Sequence, residues 1–322
     1  LLQIGALAML LVPETWLTVI WVMVAQAISG IAKDLNKMSA KSSMKSIARD
    51  QDAGLYRIVA FLTGSKNALK GAGFFIGAVL LSWLEFQGAI AVMVAMLSVV
   101  WLMSLLLLRQ ELGVMKAKPK FSQIFSKSEA VNRLSLARFF LFGARDVWFV
   151  VALPVFLHEV LGWDFWQVGG YLAAWVMIYG MIQAAAPKLT GRSQAPDVVG
   201  RQLVVFGGCL ALTPAAIGVA LSYGLSPVFV VTVGLLIFAL LFAMNSALHS
   251  FLIVRFARDE GASLDIGFYY MANAGGRLAG TVGSGALYQW MGLEACLWVS
   301  AGLIAMASLA AMSLPKGEVG TA

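Results

Sequence analysis

Ten apolar stretches, joined by loops that alternate in charge, constrain this chain more than any other feature of its sequence. A membrane-spanning helix needs about 17 to 25 mainly apolar residues, and only 12% of the 322 residues are charged, against about 25% in soluble domains. The stretches run over residues 1–12, 15–34, 57–84, 87–108, 133–157, 165–187, 201–223, 226–250, 263–289 and 293–314. The pattern predicts an all-α polytopic membrane protein.

The loops between the stretches predict the orientation of the chain. Five contain neither Lys nor Arg: residues 13–15, 85–88, 158–164, 223–227 and 291–294. The alternating loops are basic: residues 33–57, 109–133, 188–201 and 255–258, with Lys316 in the tail. Lys and Arg concentrate in cytoplasmic loops. We therefore expect the basic loops and the C-terminus to be cytoplasmic. The net charge of +7 is explained by these loops and does not indicate a nucleic-acid partner.

The longest basic loop divides the spans into four before it and six after it. This predicts a partial N-terminal helical bundle at residues 1–109, a basic cytoplasmic linker at 110–132 and a six-helix C-terminal bundle at 133–322. The division matches a six-plus-six transporter that lacks its first two spans, so the chain is expected to be a fragment with about ten of twelve transmembrane helices. By analogy, the expected architecture is the two-bundle fold of the major facilitator superfamily.

Cations within the apolar stretches are the candidate functional residues. A charge near the bilayer centre costs about 2.5 to 3.5 kcal/mol, so each such residue needs an explanation. The five cations are Lys66, Lys70, Arg138, Arg145 and Arg277. Arg138 is close enough to the cytoplasmic boundary to extend its side chain to the surface, and Lys66 could do the same. The other three are expected at one depth, since each lies roughly 20 Å from the cytoplasmic end of its helix.

An anionic substrate would balance these charges. Asp146 is the one carboxylate expected at that depth, and it should point about 100° away from Arg145 around the helix, although a structural pair between the two is an alternative. We predict a positive cavity with Asp146 in a coupling or gating role. The predicted substrate-binding residues are Lys66, Lys70, Arg145, Arg277, Asn67 and Asn273. No catalytic, metal or cofactor motif occurs in the sequence, and tryptophans such as Trp148 and Trp175 are interpreted as interfacial anchors.

Two segments carry a resemblance to a known family. Residues 30–45 (GIAKDLNKMSAKSSMK) and 62–77 (LTGSKNALKGAGFFIG) resemble the organoarsenical efflux permeases of the major facilitator superfamily, the ArsJ family. The resemblance implies export of 1-arseno-3-phosphoglycerate, arsenate resistance and a functional link to glyceraldehyde-3-phosphate dehydrogenase, which makes that compound when it uses arsenate. Such a substrate carries two anionic groups and no cation.

Other functions stay open on the sequence alone. The nearest is an organophosphate or organic-anion exchanger, or a multidrug exporter, of the same fold. Exporters of hydrophobic cations would favour buried carboxylates, so the sign of the buried charges disfavours that class. A membrane-embedded enzyme acting on lipid phosphates would need paired acid and base groups. The buried cations are a weak argument against a sensor or assembly protein.

Overall fold

Helices cover every predicted apolar stretch. A computed structural model describes residues 1–47, 52–107, 128–191, 195–258 and 261–315, and these ranges contain helices and short 3-10 turns but no β-strand. The helices are α1 (Leu2–Ala8), α2 (Val19–Ile47), α3 (Asp52–Leu107), α4 (Glu129–Phe149), α5 (Ala152–Glu159), α6 (Phe165–Leu189), α7 (Pro196–Ser222), α8 (Pro227–Phe256) and α9 (Ala262–Met312). The predicted all-α fold class is confirmed. Most of the predicted linker at 110–132 lies outside the described residues.

Six stretches of the described residues are long and apolar enough to cross a membrane. They are Val79–Leu107, Glu129–Glu159, Trp166–Leu189, Asp197–Ser222, Pro227–Phe256 and Ala262–Met312. The last has 51 residues, or about 75 Å of helix, which exceeds twice the roughly 30 Å hydrocarbon core. The multi-pass character predicted from the sequence is therefore confirmed.

Two of the predicted loops without Lys or Arg, at residues 85–88 and 291–294, are single-residue interruptions of long helices. In α3 the backbone leaves helical geometry at Glu85, with φ 55°, and in α9 it does so at Gly292, with φ 75°. A glycine adopts this left-handed region without steric cost, whereas Glu85 does so at some strain. Each long helix therefore contains two predicted spans joined by a very short connection.

Local signals set the other helix ends. The Asp164 carboxylate accepts a hydrogen bond from the Gln167 backbone, and the Gln167 side chain accepts one from the Asp164 backbone, which completes a capping box before α6. Helices α7 and α8 begin at Pro196 and Pro227, where a missing N–H costs nothing. These signals lie in or next to the predicted loops.

The chain forms two compact units. The first contains residues 1–43 and 72–116, and a small core around Leu10, Ala25 and Ile90 stabilises it. The second contains residues 44–71 and 117–322, and all seven predicted site residues belong to it. The sequence-based division into two helical bundles stays a prediction.

An aromatic cluster forms much of the core of the second unit. Trp148 is fully buried, with its ring centroid 5.0 Å from Phe238 and 5.8 Å from Trp175. The Trp175 indole nitrogen donates a hydrogen bond of 2.8 Å to the Leu235 carbonyl. The interpretation of Trp148 and Trp175 as interfacial anchors is therefore wrong, because the two rings pack against each other and against α8 and are both buried.

Glycines allow two pairs of helices to approach at backbone distance. A Cβ atom on Gly276 of α9 would overlap the Phe139 carbonyl of α4, and one on Gly280 would lie 2.5 Å from the Gly143 carbonyl. Similarly, Cβ atoms on Gly64 of α3 and Gly180 of α6 would clash with the facing backbone. Small residues at such crossings are the usual means of close helix packing in membranes. These contacts fix the positions of α3, α4, α6 and α9 around the candidate site.

An ion pair joins the segment that follows α8 to the first turn of α9. Asp265 is fully buried, and both of its carboxylate oxygens accept hydrogen bonds from Arg258, at 2.8 Å from Nη2 and 3.0 Å from Nε. The Arg258 backbone N–H also donates to this carboxylate, at 2.9 Å. The hydrogen bond to Asp265 raises the pKa of the Arg258 guanidinium above its ordinary value. We call this interaction the Arg258–Asp265 clasp.

Candidate functional site

Asp146 joins two of the predicted cations into one ion cluster between α4 and α9. Its Oδ1 atom accepts a hydrogen bond of 2.6 Å from Arg145 Nε, and its Oδ2 atom accepts one of 2.7 Å from Arg277 Nε. The carboxylate is fully buried, while the Arg145 and Arg277 side chains are 13% and 44% exposed. The expectation that Asp146 points away from Arg145 is wrong, because the long arginine side chain folds back to its sequence neighbour.

Arg138 lies in the protein interior, with only 5% of its surface exposed. Its Nε atom donates a hydrogen bond of 3.2 Å to Asn273 Oδ1, and its Nη1 atom donates one of 3.0 Å to Ser246 Oγ. The expectation that this side chain extends to the membrane surface is therefore wrong. Neutral acceptors on α8 and α9 hold the guanidinium inside the helix bundle.

A chain of hydrogen bonds connects Arg138 to the predicted site residue Asn67. Asn67 Nδ2 on α3 donates to Gln183 Oε1 on α6 at 2.6 Å, and Gln183 Nε2 donates to Ser246 Oγ at 3.2 Å. Ser246 in turn accepts the bond from Arg138, which also binds Asn273. Residues from five helices thus form one polar network, and it includes both predicted asparagines.

The ring of Phe142 brings the network and the ion cluster together. The Arg138 Cζ atom lies 3.7 Å from the ring centroid, and the Arg145 Cζ atom lies 4.8 Å from it. Both distances are typical of cation–π contacts. Three arginines and one carboxylate therefore meet in this region of the described residues, which leaves a formal excess of two positive charges.

The two predicted lysines have exposed side chains, in contrast to the buried Arg138 and Asp146. Lys66 and Lys70 are exposed side chains one turn apart on the first half of α3. Asn67, on the same turn, instead enters the polar network through Gln183. The structure therefore brings Arg145, Asp146 and Arg277 together directly and links Asn67 with Asn273, while a site role for the lysines stays a prediction.

The sequence-based site omitted Gln183 and Tyr179 of the network and placed Arg138 elsewhere. Gln183, Ser246 and Tyr179 are all buried, and the Tyr179 hydroxyl donates a hydrogen bond of 3.2 Å to Ser246 Oγ. An isolated glutamine in an apolar stretch is a usable signal, because an amide in the bilayer must find partners. For Arg138, the signal was its spacing of seven residues from Arg145, which places both on one helix face.

Comparison with known families identifies the fold family of the chain. The model of the Major Facilitator Superfamily matches residues 1–281, which is most of the chain. Among curated proteins, no sequence matches significantly.

Two solved structures are similar to this chain over nearly its whole length. A bacterial homologue of the iron transporter ferroportin, in an outward-facing state, has a TM-score of 0.75 and 15% identity, covering 97% of this chain and 80% of the homologue. The human organic anion transporter MFSD10 (TETRAN) has a TM-score of 0.73 and 17% identity, covering 96% of this chain and 74% of that protein. At such identities the likeness concerns the fold.

Proposed function

Because the chain belongs to the Major Facilitator Superfamily, we propose that it is a secondary transporter whose substrate is a small organic anion. The observation that carries this proposal is an excess of positive charge: Arg145 and Arg277 share the carboxylate of Asp146, and Arg138 contacts the same Phe142 ring as Arg145. Uncompensated charge inside a membrane bundle is costly. An anionic substrate is the group that would offset this cost during transport.

Asp146 gives the site a means of coupling or gating. Its carboxylate occupies donors of both Arg145 and Arg277, so an incoming anion must compete with it for the same N–H groups. Displacement of Asp146 would release both guanidiniums toward the substrate. In the empty transporter, Asp146 would act as an internal counter-ion.

The narrower proposal is export of an organoarsenical, 1-arseno-3-phosphoglycerate, by alternating access, with resulting arsenate resistance. It rests on the resemblance of residues 30–45 and 62–77 to the ArsJ family and on the charge of the site. It also implies the functional link to glyceraldehyde-3-phosphate dehydrogenase. The proposed location is the bacterial inner membrane, with the basic loops in the cytoplasm.

The second candidate is an organophosphate or organic-anion exchanger, which the same cationic site would serve. The likeness to a human organic anion transporter is compatible with it. Multidrug export of cations fits less well, since the cluster has the wrong sign. Iron transport fits less well too, because the described residues contain no group of three His, Cys, Asp or Glu side chains that could hold a metal ion.

Transport in inverted membrane vesicles tests the proposal. Vesicles containing the protein would receive arsenate, glyceraldehyde 3-phosphate, NAD and the dehydrogenase, and arsenic accumulation would be measured with each component omitted in turn. Uptake that needs every component supports the organoarsenical, whereas uptake of 3-phosphoglycerate without arsenic supports the organic-anion alternative. Uptake of arsenate alone would contradict the narrower proposal.

Site variants then connect the transport to the proposed residues. We expect R277Q and R145Q to reduce uptake at least about tenfold, because each removes a cation from the proposed site. The matched control is R201Q, since Arg201 is 79% exposed and pairs with Asp197 on the surface of α7. Full activity of both site variants, with normal amounts of protein in the membrane, would contradict the site assignment.

A further inference from the structure

Arg138 retains hydrogen-bonding capacity that no contact within the described residues uses. A guanidinium has five N–H donors, and the two hydrogen bonds of Arg138, to Asn273 and Ser246, use two of them. Its Cζ atom lies 3.7 Å from the Phe142 centroid and 5.2 Å from the Tyr269 centroid, so two aromatic rings pack against the guanidinium. The three remaining N–H groups are the part of this side chain that can bind a ligand.

Arg138 also differs from the neighbouring arginines in its charge balance. Arg145 and Arg277 share Asp146, and Arg258 has Asp265. Among the described residues, no carboxylate forms an ion pair with Arg138. A buried cation with only neutral partners is expensive, and an anionic oxygen makes a stronger hydrogen bond to it than an amide or hydroxyl oxygen does.

The position of Arg138 relates it directly to the ion cluster. Arg138 and Arg145 contact the same Phe142 ring, so the two guanidiniums are separated by about the size of one side chain. On α9, Asn273 lies one turn from Arg277, which is 44% exposed. An anion bound at Arg277 and Arg145 would thus have Asn273 and then Arg138 within reach of its other end.

We propose that Arg138 binds the second oxyanion group of a substrate that carries two such groups, while Arg145 and Arg277 bind the first. The inference rests on the proposed function and narrows it to small organic dianions, such as a phosphate ester with a carboxylate, a second phosphate or an arsenate. The second group replaces the Asn273 amide oxygen as the acceptor of the Arg138 N–H groups. A substrate with a single anionic group engages the ion cluster alone.

Two probes that differ in one group test this assignment. 3-Phosphoglycerate carries a phosphate and a carboxylate, whereas glycerol 3-phosphate carries the phosphate with a neutral hydroxymethyl group in place of the carboxylate. Calorimetric titration of the purified protein should give wild-type affinity about tenfold or more higher for 3-phosphoglycerate. R138Q should abolish this preference by weakening the binding of 3-phosphoglycerate at least about tenfold more than that of glycerol 3-phosphate, and R277Q should weaken the binding of both probes. R133Q is the matched control, because Arg133 is 39% exposed and pairs with Glu129 on α4.

A second variant keeps the inference falsifiable if R138Q does not fold. N273A removes the neutral acceptor that competes for Arg138, and it should increase affinity for 3-phosphoglycerate more than for glycerol 3-phosphate. Equal wild-type affinity for both probes, an equal loss of both in R138Q, or no change of preference in N273A would overturn the role of Arg138. If wild-type protein binds neither probe, the proposed function fails and this inference fails with it.

Discussion

Removal of the Asp146 charge is the most direct perturbation of the ion cluster. D146N keeps the size of the side chain and removes the charge that holds Arg145 and Arg277. Breaking a buried ion pair from one side costs about 3 to 5 kcal/mol. The lower end applies, because Arg277 is 44% exposed and solvent screens its share. We therefore expect D146N to lower the free energy of unfolding by about 3 kcal/mol. Most of this loss should come from the broken contact with Arg145, which is only 13% exposed.

Equilibrium unfolding in mixed detergent micelles would measure this loss. E129Q is the matched control, because Glu129 is 74% exposed in its pair with Arg133, and it should change stability by less than about 1 kcal/mol. Addition of glycerol 3-phosphate should raise the free energy of unfolding of D146N more than that of wild type, since the anion replaces the missing carboxylate. Stability of D146N equal to wild type, or a loss that the anion does not reduce, would refute the assignment of Asp146 as an internal counter-ion.

Two further variants test the packing and the connection that position the site. G180A should lower the free energy of unfolding by about 1 to 3 kcal/mol, because a Cβ atom there clashes with the α3 backbone. G169A is the control on the same helix, since it has open space around it and should be neutral. Equal stability of the two variants in thermal unfolding would contradict the close α3–α6 crossing. D265N should cost about 2 kcal/mol through loss of the two-pronged bond to Arg258. D197N, in an exposed pair, should change stability much less than D265N, and equal losses in chemical denaturation would argue against the clasp.

The helices were predictable because the bilayer imposes a length on every apolar stretch. The kinks at Glu85 and Gly292 fall within loops that the sequence indicated, and they show that one residue suffices for a connection. Burial inside the bundle was less predictable. Apolar composition alone does not distinguish a lipid-facing tryptophan from Trp148, which is buried by α6 and α8.

The candidate site was predictable in its residue types but not in its pairing. A charge in an apolar stretch signals function whatever its partner, which is why Arg145, Arg277 and Asp146 were identified. Helix geometry gives the direction of a Cβ atom but not the path of a long side chain, so the Arg145–Asp146 pair was an alternative and not the main expectation. The depth of Arg138 could not be calculated from distance to a loop, because its interior position depends on acceptors from α8 and α9.

The Arg258–Asp265 clasp has a mechanical consequence for the helices that it joins. Three hydrogen bonds hold Arg258, two residues past the end of α8, to the first turn of α9, and they oppose lengthwise sliding of the two helices at that point. Ser246 on α8 and Asn273 on α9 both accept hydrogen bonds from Arg138, so any separation of the two helices would also part the two acceptors of this guanidinium.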